Sequence, residues 1–316
     1  MSLTTFTPRQ AERESPPVST KAPTKVTTTS LQEKKRLGQP ITAVTAYDYA
    51  SARIIDEAGL DLILVGDSLA MVMQGQPNTL AITMDEMLLY TRGVRRAVRH
   101  ALLVADMPFG SYHATPADGV ANAIRFIKEA GAEAVKIEGP RIELVKQLTQ
   151  AEIPVVGHLG LTPQSVHRMG GFKVQGKTIA AIDALREDAL SLEAAGCCAI
   201  VLEGIPREAA RLITDALDIP TIGIGAGPDC DGQILVLHDM LSLTFSPAAK
   251  FVRRYADLGA VMRDALTEYK RDVTARTFPS EAESYHLPHE ARLLLATLHV
   301  GNEESTPLTK EHAPSI

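Results

Sequence analysis

The chain has 316 residues, 45% of them hydrophobic and 22% charged, the profile of a globular protein with a sizeable core. With 32 Lys and Arg against 38 Asp and Glu, the net charge of −6 gives no electrostatic footprint for nucleic acid. No apolar run approaches the ~20 residues that span a bilayer, and the three cysteines show neither metal-ligand spacing nor an even disulfide framework.

The N-terminus has no signal-peptide apolar region, so the expected location is cytoplasmic. Residues 1–28 are rich in Thr, Ser and Pro and too poor in large apolar groups to offset the entropy of ordering, so they are predicted to be a disordered tail. A short capped helix is expected over 30–38, closing at Gly38. From Ile41 strands and helices alternate without a break. Strands are predicted at 41–47, 61–66, 102–107, 134–138, 154–158, 199–203, 220–224 and 234–237. Helices are predicted at 49–58, 84–99, 117–130, 141–151, 180–195 and 206–217, then a long one at 248–274. Gly59, Gly131 and Gly196 close helices, as left-handed caps do before a following strand.

Eight strands followed by helices over about 230 residues fit a closed (βα)8 barrel better than an open sheet. A doubly wound sheet would carry a glycine-rich phosphate loop after its first strand, where this chain has Tyr47-Asp48-Tyr49. Gly223-Ile224-Gly225-Ala226-Gly227 follows the seventh strand instead. That position suits either an anion site or a tight backbone turn. The barrel is expected over 29–287, with a C-terminal extension at 288–316 that includes a short amphipathic segment from Ala291 to Val300.

The organising stretch is Leu62-Ile63-Leu64-Val65-Gly66-Asp67-Ser68, an apolar strand that stops at polar groups. The pattern recurs where strands end at Asp106, at Lys136-Ile137-Glu138 and at Glu203. An acid after a strand is often only the N-cap of the next helix. Capping, however, gives no reason for Lys136, Glu138 and Glu203 to sit at or beside the strand. In a barrel all strand carboxyl ends meet at one face, so Asp67, Asp106, Glu138 and Glu203 converge. Clustered acids raise one another's pKa unless a positive charge sits among them. A hard divalent cation such as Mg²⁺ fits an all-oxygen set, and Lys136 suits an anionic substrate group. A metal-chelated 2-oxo acid is acidified at the neighbouring carbon. Glu203 is then the carboxylate free to act as base, and His158 can hydrogen-bond a substrate oxygen.

Seven motifs occur in an order that resembles the ketopantoate hydroxymethyltransferase family. They are Thr45-Ala46-Tyr47-Asp48-Tyr49, Val65-Gly66-Asp67-Ser68, Ala105-Asp106-Met107-Pro108-Phe109, Val135-Lys136-Ile137-Glu138-Gly139, Gly157 through Ser165, Gly170 through Gly176, and Ile222 through Gly227. The resemblance implies a barrel of the phosphoenolpyruvate/pyruvate superfamily that binds Mg²⁺. It implies transfer of a hydroxymethyl group from 5,10-methylenetetrahydrofolate to 3-methyl-2-oxobutanoate in pantothenate biosynthesis, by a decamer of two five-membered rings. It further implies Asp67 and Asp106 as direct metal ligands and Glu138 as a third, acting through water. Ser68, Lys136 and His158 become substrate-binding residues, and Glu203 the general base. The family has a His near its C-terminal end where this chain has Glu283. Two other readings share the four acids: a Mg-dependent carbon–carbon lyase that needs no folate, and an inactive ring-forming scaffold.

Overall fold

In the computed structural model, which describes residues 24–300, eight parallel strands close in chain order into one ring. They are β1 (Ile41–Thr45), β2 (Leu62–Val65), β3 (Leu102–Asp106), β4 (Ala134–Glu138), β5 (Val155–Gly160), β6 (Ala199–Glu203), β7 (Thr221–Ile224) and β8 (Gly232–Leu235). The strands were expected within a few residues of these positions.

Alternation along each strand divides the core in two. Inward positions, among them Leu62, Leu64, Leu102, Val104, Ala134, Val156, Ala199 and Val201, fill the barrel interior. Outward ones, among them Ile63, Val65, Leu103, Val135, Val155 and Ile200, pack under the surrounding helices. The helices start where the sequence offers caps. Thr83 and Glu86 form a reciprocal capping box, Asp48 accepts from Ser51 N, and Thr115 accepts from Asp118 N ahead of Pro116. The 117–130 region is Pro116–Arg125 followed by a π-turn, Phe126–Ala130, capped by left-handed Gly131.

Two boundaries differ from expectation. The predicted tail at 1–28 lies outside the described residues up to 23, and its last residues are ordered. Val26 is buried, its N–H donates to His100 O at 2.8 Å, and Lys25 pairs with Glu133 at the amino-terminal end of the barrel. The helix expected from 248 begins only at Leu258. Tertiary hydrogen bonds take the preceding backbone instead, Tyr255 N to Met240 O and Ser242 Oγ to Ala256 O. By its contacts the chain divides into a unit that ends at Asp257 and a second compact unit that starts at Leu258. That unit, described by itself, holds the helix Leu258–Thr274, the short turn Glu281–Glu283 and the helix His289–Val300. Glu283 forms a local cap there, accepting from Ser280 N at 2.7 Å.

The β7–β8 connection contains no helix. Closure of the ring rests on β8 against β1, where Gly232 lies so near β1 that a Cβ would stand 2.6 Å from Ile41 O. Only glycine permits that approach.

Candidate active site

The polar residues at the carboxyl end of the barrel are the top layer of its inward-facing positions. Leu102 and Val104 lead to Asp106 on β3, Ala134 leads to Lys136 and Glu138 on β4, Val156 leads to His158 on β5, and Val201 leads to Glu203 on β6. Parallel register sets them side by side: Asp106 opposite Lys136, Glu138 opposite His158, and Gly160 opposite Glu203. Asp67 follows β2 after Gly66, and its N–H donates to Asp106 Oδ2 at 3.0 Å. Gly160 has φ +92°, and a Cβ there would stand 2.3 Å from Glu203 O. The bare backbone lets Leu161 N reach the same oxygen at 2.8 Å, which ties the β5 loop to the residue that bears Glu203.

All the residues expected at the site meet here. Asp67, Asp106, Lys136, Glu138 and His158 are buried, and Glu203 is partly open, with its side chain 15% exposed. Lys136 Nζ lies 2.8 Å from Asp106 Oδ1 and 3.2 Å from His158 Nδ1. His158 stands between two acids, Nδ1 at 3.5 Å from Glu138 Oε1 and Nε2 at 3.2 Å from Glu203 Oε2. Ser68 Oγ bonds Tyr47 OH at 2.8 Å.

Electrostatics follow from four acids sharing one lysine and one histidine. Burial, together with the charges of Asp106 and Glu138, holds the Asp67 carboxyl well above the usual carboxylate range. Burial also raises Asp106, against the pull of Lys136. Burial would raise Glu138 too, but His158 and Lys136 beside it and the Gln164 N–H bring it below the ordinary value. Burial and Lys136 push His158 down, and the carboxylates of Glu138 and Glu203 outweigh them, lifting it to about 9. Lys136 is held charged, because Asp106, Glu138 and Asp67 overcome its desolvation.

Two residues that sequence reading did not assign complete the cluster. Gln164, buried in the turn Pro163–Ser165 after β5, donates from Nε2 to Asp67 Oδ2 at 2.8 Å and from its backbone N–H to Glu138 Oε2 at 2.9 Å. Tyr112 OH donates to Gln164 Oε1 at 2.6 Å and accepts from Glu138 N at 3.1 Å. Gln164 lay inside a quoted motif, where its polarity after a buried strand was the available signal. Tyr112 had none.

Among the described residues, no three His, Cys, Asp or Glu side chains form a ready-made metal cage. The donor set nevertheless fits a small hard cation. Asp106 Oδ1 and Glu138 Oε1 are buried without a hydrogen-bond partner, the contact of Asp106 with Lys136 being an ion pair out of hydrogen-bond alignment. Mg²⁺ needs only one or two carboxylates, the rest of its octahedron being water and substrate oxygen. Asp67, Asp106 and, more remotely, Glu138 are the residues that would hold it.

A family model described as ketopantoate hydroxymethyltransferase matches residues 25–281. The chain belongs to the ketopantoate hydroxymethyltransferase family. The 3-methyl-2-oxobutanoate hydroxymethyltransferase of Koribacter versatilis (strain Ellin345) is 62% identical over 273 residues, 86% of this chain and 92% of that protein. The protein of the same name from Gloeobacter violaceus is 56% identical over 249 residues, 78% of this chain and 95% of its own. This family member is therefore an enzyme, a hydroxymethyl transferase. The fold is shared more widely. A phosphonopyruvate hydrolase complex with oxalate and Mg²⁺ superposes with a TM-score of 0.55 at 17% identity, covering 88% of this chain and 98% of that one. A 2,3-dimethylmalate lyase of the PEP mutase/isocitrate lyase superfamily gives 0.53 at 19%, covering 88% and 97%.

Proposed function

We propose that the enzyme transfers a one-carbon unit from 5,10-methylenetetrahydrofolate to 3-methyl-2-oxobutanoate, giving 2-dehydropantoate and tetrahydrofolate with consumption of one water, in pantothenate biosynthesis. The observation that carries this reading is the buried meeting of Asp67, Asp106, Lys136 and Glu138 beside a partly open Glu203. Mg²⁺, when bound, would supply Lewis-acid polarisation of the keto oxygen. The remaining work belongs to the chain. Lys136 and Ser68 hold the substrate carboxylate, and Asp67 and Asp106 set the orientation of the 2-oxo acid. Glu203 removes the proton at C3, and its contact with His158 Nε2 at 3.2 Å keeps the acid aimed into the mouth. Water adds its oxygen to the folate-borne methylene as both methylene–nitrogen bonds break, each nitrogen keeping its electron pair and taking a proton. The C3 carbon then bonds to the resulting formaldehyde-level carbon, whose oxygen takes up the proton that Glu203 removed. Cysteine chemistry of the kind a related lyase could use is poorly supported: burial pushes the thiols of Cys197, Cys198 and Cys230 up, that of Cys198 to about 12.

Glu203→Gln is expected to retain Mg²⁺ affinity and to slow exchange of the C3 proton of 3-methyl-2-oxobutanoate with solvent deuterium by roughly 10²- to 10⁴-fold. Undiminished exchange, followed by NMR, removes Glu203 from the mechanism. Exchange that proceeds while tetrahydrofolate and formaldehyde yield no 2-dehydropantoate favours the lyase.

The three free thiols fit a reducing cytoplasmic location. Copies of the chain are proposed to associate as two five-membered rings. Val261, Met262, Leu266, Tyr269 and Val273 on the helix Leu258–Thr274, each 44% to 63% exposed, supply apolar surface for association. Light scattering is expected to give ten subunits; a monomer would refute the assembly.

A further inference from the structure

Gln164 touches two of the acids through separate groups, holding one oxygen of each. Its side-chain Nε2 takes Asp67 Oδ2 at 2.8 Å and Met107 O at 3.0 Å, while its backbone N–H takes Glu138 Oε2 at 2.9 Å. The other oxygen of Glu138, Oε1, is buried without a hydrogen bond and lies 3.5 Å from His158 Nδ1. One Nε2 hydrogen is thus spent on the Met107 carbonyl, which can only accept. A flipped amide would set Oε1 against that carbonyl and face the Tyr112 hydroxyl with N–H, so the orientation is determined by chemistry. Tyr112 secures it from the third side. Its hydroxyl gives its single proton to Gln164 Oε1 at 2.6 Å and accepts from Glu138 N at 3.1 Å, so the loop after β3 locks the turn after β5 onto the end of β4. Burial keeps that phenol a donor, with its pKa pushed well above the ordinary tyrosine value. Neither residue reaches the mouth as a reacting group. What they determine is which oxygen each acid presents.

We infer that Gln164, held by Tyr112, is a positioning residue that turns Asp67 and Glu138 so that one oxygen of each faces the cation site. The inference rests on the cation reading under Proposed function. A carboxylate wedged among other carboxylates gains little from turning toward them. The amide donor on Asp67 and the backbone donor on Glu138 therefore act as the opposing tether, the arrangement by which residues behind a metal site set its affinity.

The test is Mg²⁺ binding by calorimetry on the full-length protein without substrate, with circular dichroism and thermal melts in EDTA to establish folding. Wild type is expected to bind. Gln164→Met, which keeps volume and the backbone donor, should weaken the dissociation constant by roughly 10- to 100-fold. Tyr112→Phe should weaken it by a smaller factor with an unchanged melt. The double variant should bind no more weakly than Gln164→Met alone, because Tyr112 acts through the same amide. Wild-type affinity in Gln164→Met overturns the inference. Should that variant melt early, Tyr112→Phe carries the test, and wild-type affinity there overturns it equally. A wild-type protein that binds no Mg²⁺ overturns the cation reading and this inference together, whereas tight binding in all variants overturns this inference alone.

Discussion

The two ends of the barrel each gather a set of acids next to strands, and they treat them in opposite ways. At the amino-terminal end, Asp56 accepts from the backbone N–H groups of Arg99, His100 and Ala101 at 2.8 to 3.1 Å. Asp61 accepts from Thr42 N and Oγ1 and pairs with Lys34. Asp231 accepts from Thr221 N at 2.8 Å and pairs with Lys35, and Glu133 accepts from Leu103 N at 2.9 Å and pairs with Lys25. At the carboxyl end the acids face one another. Asp106 Oδ1, Glu138 Oε1 and His158 Nε2 lack aligned hydrogen bonds, and Asp67 stands beside two like charges. Saturated acids hold the fold together; unsaturated ones await something that is not protein.

The largest test of this contrast exchanges one acid from each end. Asp106→Ala is expected to lower turnover by roughly a thousandfold or more, the several kcal/mol that metal-assisted stabilisation supplies, while the metal-free protein melts near the wild-type temperature. Asp56→Ala should do the reverse. Three amide donors lose their acceptor, so denaturant unfolding should show a loss of about 3 kcal/mol, with turnover per folded molecule intact. Equal losses of stability in both variants would erase the distinction.

A finer test uses pH in EDTA. Asp67 has a raised pKa in the folded protein, so its contribution is fully present below the unfolded value of about 3.9 and is lost as pH rises through the folded value. Asp67→Asn should therefore gain on wild type, by about 1–2 kcal/mol at most, as pH climbs from 4 toward neutrality. Asp61 has the opposite sign. Burial would raise it, but Lys34 and the N–H and hydroxyl of Thr42 lower it, so its stabilisation is present above about 3.9 and lost as pH falls through the lowered value. The deficit of Asp61→Asn should shrink on acidification. Parallel slopes for the two variants would contradict the assignment of their roles.

Much of this was legible in the sequence for one geometric reason. Parallel strands that end in polar residues must deliver them to one rim, so Asp67, Asp106, Lys136, Glu138, His158 and Glu203 could be gathered from the strand ends alone. Gln164 and Tyr112 escaped because their importance lies in hydrogen bonds between loops 52 residues apart, which leave no periodic trace. The Leu258 helix start escaped because residues 248–257 follow a helical pattern in sequence while their backbone groups bond to the end of the barrel unit. Val26 and Lys25 escaped because a Thr- and Pro-rich composition hid a single anchoring pair.

Closure in chain order leaves the ring a seam between β8 and β1, two strands that no short connection joins. The acid-bearing strands β2, β3, β4 and β6 lie away from it, tied by β5 into one unbroken run. Any parting of β8 from β1 would therefore loosen the cylinder without pulling the carboxylates apart.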